Sequence, residues 1–539
     1  MRPRLKYALL GSVASVALLA GCSAAPADDT QTLTFAIEGA NLSAGHMDPH
    51  SSQLDVSNVV MRGVLDSLVA QSADGAFHPW LAESWEVSDD QLSYTFHLRD
   101  DVTFSDGAAF DAEAVKANLD HITDPATASA QAAGMIDAVE GGSYVGTEVV
   151  DEHTVRIDYS APFAPFLSAV ATAHFGFWSP EVLASSADEL KTGGPDVSVG
   201  TGPFVLTEYT PDQQLVFERN DDYDWAPEGS AHTGPAELDE LVIRILPETA
   251  VRTGALASGE VQVAGNITPS SVQTLGDDAV LENAELPGIP YSLYLNEQYG
   301  VFADERVRQA FGKAIDVQAA VDAVFFGEYP RAWSILAPST PNSYDAALEG
   351  QETFDPDAAE ALLDEAGWTE RDSEGYRVKD GERLSARWIA WTPIPDDRAA
   401  LADLVQADLR DVGFEIVREA LEPAQYNEQY GPRTYDLTDW GFSGVDADAL
   451  RSHLHTGGFQ NASMIEDPAV DELLDGAVAT TDPSAREAAY VELQQWNAEH
   501  VAIVPLYVPS LITASSPDVE GLEFDLYGRP LFAGATLAE

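Results

Sequence analysis

The stretch ARWIAWTPIPDDRAALADLVQADLRDVGFEIVRE, residues 386–419, predicts the fold class. Its first segment, ARWIAWTP, predicts a strand, and the segment after Gly413, FEIVRE, predicts a second one. The residues between them predict a helix with a buried apolar stripe on one face: Leu401, Leu404, Val405, Leu409 and Val412. A strand, a helix and a strand in this order favour a βαβ unit, and hence an α/β fold with a mostly parallel sheet.

Similar signals precede this unit along the chain. TLTFAIEG, residues 32–39, alternates apolar and small residues and predicts an early strand. Asp111, Asp304 and Asp355 stand where each would cap the N-terminus of a helix. GTGPFVLTEYTPDQQLVFERNDDYDW, residues 200–225, predicts a turn and a hairpin. It is not a phosphate-binding loop, because no Lys-Ser/Thr pair follows its glycines.

The composition excludes some classes of partner. The 539 residues include 27 basic and 90 acidic side chains, for a formal net charge of −63. Binding of a nucleic-acid backbone or electrostatic docking on anionic lipid needs the opposite sign. The acid is spread along the chain, which predicts a solvated acidic surface suited to a salty or exposed medium. The alternative is a field that attracts cationic solutes.

The N-terminus differs from the rest of the chain. Three basic residues precede the apolar run at 7–20, which is shorter than the ~18–20 residues of a membrane-spanning helix. Residues 1–21 therefore predict a secretory signal peptide. LLAGCSAAP, residues 18–26, then holds the only cysteine and resembles a bacterial lipobox. That resemblance implies cleavage before Cys22, lipid attachment to Cys22, a tether at 22–32 and a position at the outer face of the cell membrane.

A series of motifs carries a second resemblance. The motifs are LAESWEVSDD (81–90), YTFHLRDDVTFSDGAAFDAEAVKANL (94–119), GTGPFVLTEY (200–209), LVFERNDDYDW (215–225), ALASGEVQVAG (255–265), DERVRQAFGKAID (304–316), DPDAAEALLDEAGW (355–368) and ADLRDVGFEI (407–416). In this order they resemble the extracytoplasmic solute-binding proteins of the peptide/nickel class, the dipeptide- and oligopeptide-binding family of ABC transporters.

The resemblance implies a two-lobed, hinged α/β fold of the periplasmic-binding-protein type (type II, large peptide-binding class), with an extra subdomain inserted in the first lobe. The expected boundaries are 33–62 for the first part of lobe I, 63–199 for the subdomain, 200–287 for the second part of lobe I, 288–500 for lobe II and 501–539 for a return to lobe I.

The function implied is that of a monomeric substrate-binding lipoprotein that delivers peptides or peptide-like solutes to the permease and ATPase subunits of an ABC importer. No cofactor is expected. The alternatives are another solute (chelated nickel, a sugar or another small molecule), a surface hydrolase, and an adhesin or sensor. Enzymatic function is not expected, since the sequence has no Gly-x-Ser-x-Gly elbow and its one cysteine is at the anchor.

In the family's peptide binders, an aspartate of the second lobe, after a tryptophan-containing strand, pairs with the peptide amino group. YDLTDWGFSGVDADALRSHL, residues 435–454, places Asp446 after Trp440, and an alternative alignment places Ser443 at this position. Asp446 is equally compatible with a role as a turn or cap residue.

Other candidate ligand residues have alternatives of the same kind. Arg451 could bind a carboxylate or lie on a helix surface. Trp391 and Trp440 could face the cleft or the core, and Asn41 and Ser43 could border the cleft or be exposed in a polar turn. His453 and His455 are two residues apart and do not share a helix face, so no metal site is predicted.

Overall fold

The structure is a computed structural model that describes residues 31–538, apart from 40, 277–278 and 352–353. The predicted signal peptide, Cys22 and nearly all of the tether lie outside the described residues. The chain from Gln31 onward forms one compact unit. In this described part, no helix has the length and the apolar character that a membrane crossing needs.

Seven strands of the described chain form the sheet of lobe I. Thr32–Ile37 lies inside it and pairs parallel with both of its neighbours, Glu240–Ile245 and Val263–Ala264. From edge to edge the order is Val280–Glu285, Ser510–Ser515, Val263–Ala264, Thr32–Ile37, Glu240–Ile245, Gln214–Arg219 and Phe204–Thr210. The last two strands are the predicted hairpin, which is confirmed.

Short helices and strands complete lobe I. The helices are Asp55–Met61, Pro180–Leu183, Ala187–Thr192, Thr249–Ala257 and Pro269–Val272, with 3-10 turns at Leu42–Ala44 and Ala173–Phe175. Near the C-terminus, Val519–Glu520 pairs with Thr536–Leu537, and Glu523–Phe524 pairs with Pro530–Leu531.

The segment inserted after the first lobe I helix has its own sheet and core. Four antiparallel strands run in the order Ala82–Val87, Ser93–Leu98, Thr154–Tyr159 and Tyr144–Asp151, beside the hairpin Val69–Gln71 and Phe77–Pro79. Its helices are Ala112–Thr123, Ala130–Met135 and Phe166–Val170. Asp111 caps the first of these, accepting a hydrogen bond from Ala114 N at 2.8 Å, which confirms the predicted cap.

Lobe II is built on a five-stranded sheet. The order is Glu415–Leu421, Ser385–Trp391, Leu437–Ser443, Gly288–Leu295 and Ile503–Tyr507. Ser385–Trp391 and Glu415–Leu421 are parallel, as predicted, and the helix Asp396–Asp411 joins them. The prediction that Leu404 is buried is wrong. Its side chain is 37% exposed because it lies on the solvent side of the stripe that Leu401, Val405 and Leu409 bury.

The remaining elements of lobe II cover this sheet. The helices are Glu305–Ala314, Val317–Phe325, Pro356–Glu365, Pro423–Tyr430, Ala449–Leu454, Pro468–Val478 and Pro483–His500, with 3-10 turns at Gly300–Ala303 and Ala346–Leu348. A small sheet contains Glu370–Arg371, Arg377–Lys379 and Glu382–Arg383. The predicted caps are confirmed: Asp304 accepts from Arg306 N and Asp355 from Ala358 N.

Two short linkers join the two large sheets in the described chain. Val280–Glu285 continues through residues 286–287 into Gly288–Leu295, and Ile503–Tyr507 continues through residues 508–509 into Ser510–Ser515. The linkers lie side by side, because Leu286 N donates a 2.8 Å hydrogen bond to Pro509 O.

The expected return to lobe I at 501 is too early. Ile503–Tyr507 pairs with Gly288–Leu295 and so belongs to the lobe II sheet. We therefore propose that this boundary lies at 508–509. We also propose that lobe I resumes before Pro180–Leu183 and not at 200, because Val182 and Leu190 pack in the lobe I core. The other boundaries stay predictions.

A buried carboxyl group lies where lobe I meets the inserted subdomain. Asp66 is fully buried, and one of its oxygens accepts hydrogen bonds from Thr201 Oγ1 (3.0 Å) and Trp225 Nε1 (3.1 Å). Burial raises the pKa of Asp66 from 3.8 to about 7, although these bonds and the charge of Arg62 oppose the rise. Between pH 3.8 and about pH 7, Asp66 is therefore protonated in the folded protein and ionised in the unfolded chain.

We expect the Asp66→Asn variant to lose this pH dependence. Because the pKa is raised on folding, the contribution of Asp66 to the free energy of unfolding falls as pH rises from 3.8 to about 7, by on the order of 3 kcal/mol. Denaturant unfolding at about pH 5 and about pH 8 measures the slope. Asp221→Asn, at a side chain that is 81% exposed, is the control. If the wild type and Asp66→Asn differ in the free energy of unfolding by the same amount at both pH values, the raised pKa of Asp66 is contradicted.

Candidate functional site

A cavity of about 260 Å³ lies at the linkers between the lobes. Its lining combines linker residues with residues of lobe II: Leu286, Pro287, Ile289, Tyr291, Arg398, Trp440, Gly441, Phe442, Ser443 and Pro509. Since three of these residues belong to the linkers, any rotation of one lobe against the other changes the shape of this cavity.

Two neighbouring strands of lobe II form one wall of the cavity. Gly288–Leu295 supplies Ile289 and Tyr291, and Leu437–Ser443 supplies the residues from Trp440 onward. The strands approach closely at Gly288, whose φ is +106°, and a Cβ there would lie 2.4 Å from Phe442 O. Glycine is thus required where the chain enters lobe II.

Arg398 contributes the positive charge of this cavity. It lies in the first turn of the helix Asp396–Asp411, and its Nε donates a 2.9 Å hydrogen bond to Tyr291 Oη. Tyr291 Oη in turn donates to Asp439, whose Oδ2 is 3.6 Å from Arg398 Nη2. Among the described residues, Nη1 of Arg398 has no acceptor within hydrogen-bond distance. The guanidinium is therefore fixed at one edge and retains donors at the other.

The surroundings keep Arg398 charged. Burial alone would lower the pKa of Arg398, but Tyr291, Asp439 and Tyr507 outweigh burial and raise it. Burial raises the pKa of Asp439, although Arg398 opposes the rise. The Arg398 side chain is 26% exposed and that of Asp439 is 7% exposed. The cation is thus the member of this pair that solvent, or a bound molecule, can reach.

Two of the candidates from the sequence lie at this cavity. The Trp440 ring packs against Tyr294 at a centroid distance of 4.7 Å, and it lines the cavity. Ser443 ends the same strand and is exposed at the cavity wall. One aromatic surface and one hydroxyl group therefore accompany Arg398.

Asp446 and Arg451 are engaged in ion pairs within lobe II. Asp446 accepts two hydrogen bonds from Arg486, at 2.7 and 3.1 Å. Burial would raise the pKa of Asp446, but Arg486 and two further hydrogen-bond donors, Asp448 N and Ser168 Oγ, hold it below its ordinary value. Arg451 pairs with Asp448 at 2.9 Å. A ligand amine would thus have to displace the Arg486 guanidinium to pair with Asp446.

The other three candidates are outside the cavity lining. Trp391 ends its predicted strand and is 49% exposed, with its ring 5.5 Å from that of Tyr426. Asn41 precedes a 3-10 turn with φ +64°, and Ser43 donates a hydrogen bond to Asp212 in the hairpin turn. The structure therefore does not bring Trp391, Asn41 and Ser43 together with Trp440 and Ser443.

Sequence reasoning missed Arg398, Tyr291 and Asp439. Only Arg398 carried a signal that could have been used. It is a cation in the first turn of a helix, where the helix dipole disfavours positive charge, in a chain with 27 basic residues among 539. A cation at such an unfavourable position indicates a role in binding or in an ion pair. For metal binding, the described residues contain no group of three or more His, Cys, Asp or Glu side chains that could hold an ion.

The chain is similar to known proteins over most of its length. It is 25% identical to the nickel-binding periplasmic protein of Escherichia coli K12 over 90% of each chain. It is 28% identical to a dipeptide-binding protein of Pseudomonas aeruginosa over 85% of this chain and 86% of that one. Among solved structures, NikA from Brucella suis in complex with Fe(III)-EDTA superposes with a TM-score of 0.80 at 28% identity, covering 94% of this chain and 99% of that one.

A family model supports the same assignment. The model described as bacterial extracellular solute-binding proteins, family 5 Middle, matches residues 76–461. This range includes the four-stranded sheet of the inserted subdomain and both strands that form the cavity wall. With the two-lobed architecture and the hinge cavity, the match establishes that the chain belongs to the bacterial extracellular solute-binding proteins of family 5.

Proposed function

We propose that this protein is the substrate-binding component of an ABC importer and that it captures a small solute bearing a carboxylate, a peptide or a peptide-like molecule. The observation that carries the proposal is the guanidinium edge of Arg398 in the hinge cavity. The solute would be enclosed when the lobes close and released to a permease when they open.

The carboxylate follows from the chemistry of Arg398. A planar guanidinium matches the two oxygens of a carboxylate, and the two donors would be Nη1 of Arg398 and the N–H of Nη2 that faces away from Asp439. Tyr291 and Asp439 hold the opposite edge, so less side-chain entropy is lost on binding. Ser443 could donate or accept one further hydrogen bond, and Trp440 offers an apolar surface to the remainder of the solute.

The cavity favours a compact solute. A volume of about 260 Å³ lies just below the range of ~300–1,000 Å³ that is typical of small-molecule pockets. Such a volume accommodates a dipeptide-sized molecule more readily than a long peptide. Because Asp446 is neutralised by Arg486, the amino group of a peptide would not be bound through Asp446.

A metal chelate is the second candidate. The similarity to a nickel-binding protein and to a structure in complex with Fe(III)-EDTA supports it. EDTA is itself a polycarboxylate, so Arg398 would serve a peptide and a carboxylate chelate in the same way. In that case the chelator, rather than protein side chains, would supply the metal ligands.

Mass spectrometry of the solute that co-purifies with the protein, released by mild denaturation, tests this proposal. We expect a stoichiometric small molecule with at least one carboxylate. Re-addition of that molecule to Arg398→Gln should give a dissociation constant about tenfold to hundredfold higher than in the wild type, because a charged, two-point hydrogen bond is lost. Isothermal titration calorimetry measures the difference.

Arg418→Gln is the matched control. Arg418 lies in the edge strand of the same sheet, pairs with Asp403 and does not line the cavity. Its replacement should leave the affinity unchanged. A solute without a carboxylate, or equal affinity in the Arg398→Gln variant and the wild type, would contradict the role of Arg398.

We further propose that Cys22 is the lipid-modified first residue of the mature protein. The support is the sequence LLAG before Cys22, after a basic and then an apolar segment. Two or three acyl chains on one residue would hold the protein at the membrane, since each buried CH₂ contributes about 0.8 kcal/mol.

Metabolic labelling with an alkyne-tagged fatty acid tests the anchor. The wild type should carry the label and Cys22→Ser should carry none, because the serine hydroxyl replaces the thiol that is acylated. Ser23→Ala changes the adjacent residue and should remain labelled. Undiminished labelling of Cys22→Ser would show that the acyl chains are attached elsewhere.

A further inference from the structure

The inserted subdomain contacts lobe II along one loop and helix. Ser168, on the helix Phe166–Val170, donates a 3.1 Å hydrogen bond from Oγ to Asp446 Oδ2 of lobe II. Ala164 N donates a 2.9 Å hydrogen bond to Val478 O. The Arg451 guanidinium lies 5.7 Å from the centre of the Phe163 ring. These contacts join segments that are far apart in sequence, and none includes the linkers.

Asp446 is the centre of this contact. Its two oxygens accept four hydrogen bonds, two from Arg486, one from Asp448 N and one from Ser168. The side chains of Asp446 and Arg486 are 15% and 18% exposed. Three of these four donors belong to lobe II, so lobe II alone orients the carboxylate, with or without the subdomain contact. Ser168 contributes the one donor that belongs to the inserted subdomain.

A separate contact lies nearby on the chain. Thr481 N donates a 2.8 Å hydrogen bond to Oε1 of Gln91, and Gln91 belongs to the turn between two subdomain strands. Val478, three residues earlier, packs against the subdomain core. The end of the helix Pro468–Val478 and the segment that follows it are therefore bound to the subdomain at two points, Val478 and Thr481.

We propose that Asp446 and Arg486 form, with Ser168, a latch that holds the lobes closed, and that the inserted subdomain is the surface against which lobe II closes. This inference rests on the proposed function insofar as closure serves solute capture. It gives Asp446 a role in positioning the lobes instead of a role in binding the solute.

The latch contacts suit reversible closure. On opening, Asp446 keeps Arg486 and loses only the Ser168 hydroxyl, so no unpaired charge is left behind. The backbone groups of Ala164 and Thr481 can bond to water when they separate. A hydrogen bond to a charged group has a modest net value, so deleting Ser168 Oγ should lower the ratio of closed to open molecules by about tenfold.

Single-molecule FRET on the ligand-free chain measures this ratio. Val145 in the subdomain and Phe459 in lobe II are 64% and 87% exposed, which makes Val145→Cys and Phe459→Cys suitable dye sites in a Cys22→Ser background. Ser168→Ala should lower the closed fraction. Ser168→Asp should reduce it further, because a second carboxylate would face Asp446.

Ser160→Asp is the matched control. Ser160 lies between the strand Thr154–Tyr159 and the helix that carries Ser168, but its hydroxyl bonds to Ser143 O within the subdomain. It should keep the wild-type ratio. The latch is overturned if Ser168→Asp keeps the wild-type ratio, or if Ser160→Asp shifts the ratio equally. Because the ligand-free protein is measured, this outcome is independent of whether Arg398 binds a carboxylate.

Discussion

The hydrogen bond from Leu286 N to Pro509 O holds together the two linkers on which the architecture depends. Two antiparallel strand pairs run through these linkers from one sheet into the other, Val280–Glu285 with Ser510–Ser515 and Gly288–Leu295 with Ile503–Tyr507. Because each linker is two residues long and contains proline, relative motion of the lobes is restricted to a hinge. The cavity at this hinge can therefore respond to a solute by closing.

Local sequence signals predicted the elements of the fold, but of the cavity lining they predicted only Trp440 and Ser443. A capping aspartate such as Asp355, or the parallel strand pair of the βαβ unit, depends on residues that are near each other in sequence. The cavity instead combines Tyr291 and Arg398, which are 107 residues apart and meet only through sheet pairing and helix packing. Asp446 illustrates the same limit, since its partner Arg486 is 40 residues away and was not identifiable from spacing.

Charge acts at two scales in this protein. The net charge of −63 repels an anionic solute at long range, but that repulsion is screened beyond about 8–10 Å at physiological ionic strength. Arg398 lines the cavity, so a solute bound there would lie closer to its guanidinium than this screening length. Under the proposed function, the acidic surface would affect the rate of encounter and its salt dependence, whereas Arg398 would affect the affinity.

The central claim is that a carboxylate solute binds at the hinge, against Arg398, and not at Asp446. A crystal structure of the protein purified with its own solute tests this claim most directly. The account predicts electron density in the cavity between the linkers and Trp440, with two oxygens of the solute within hydrogen-bond distance of the Arg398 guanidinium, and an intact Asp446–Arg486 pair. Density for a solute amine bonded to Asp446, with Arg486 displaced, would contradict it.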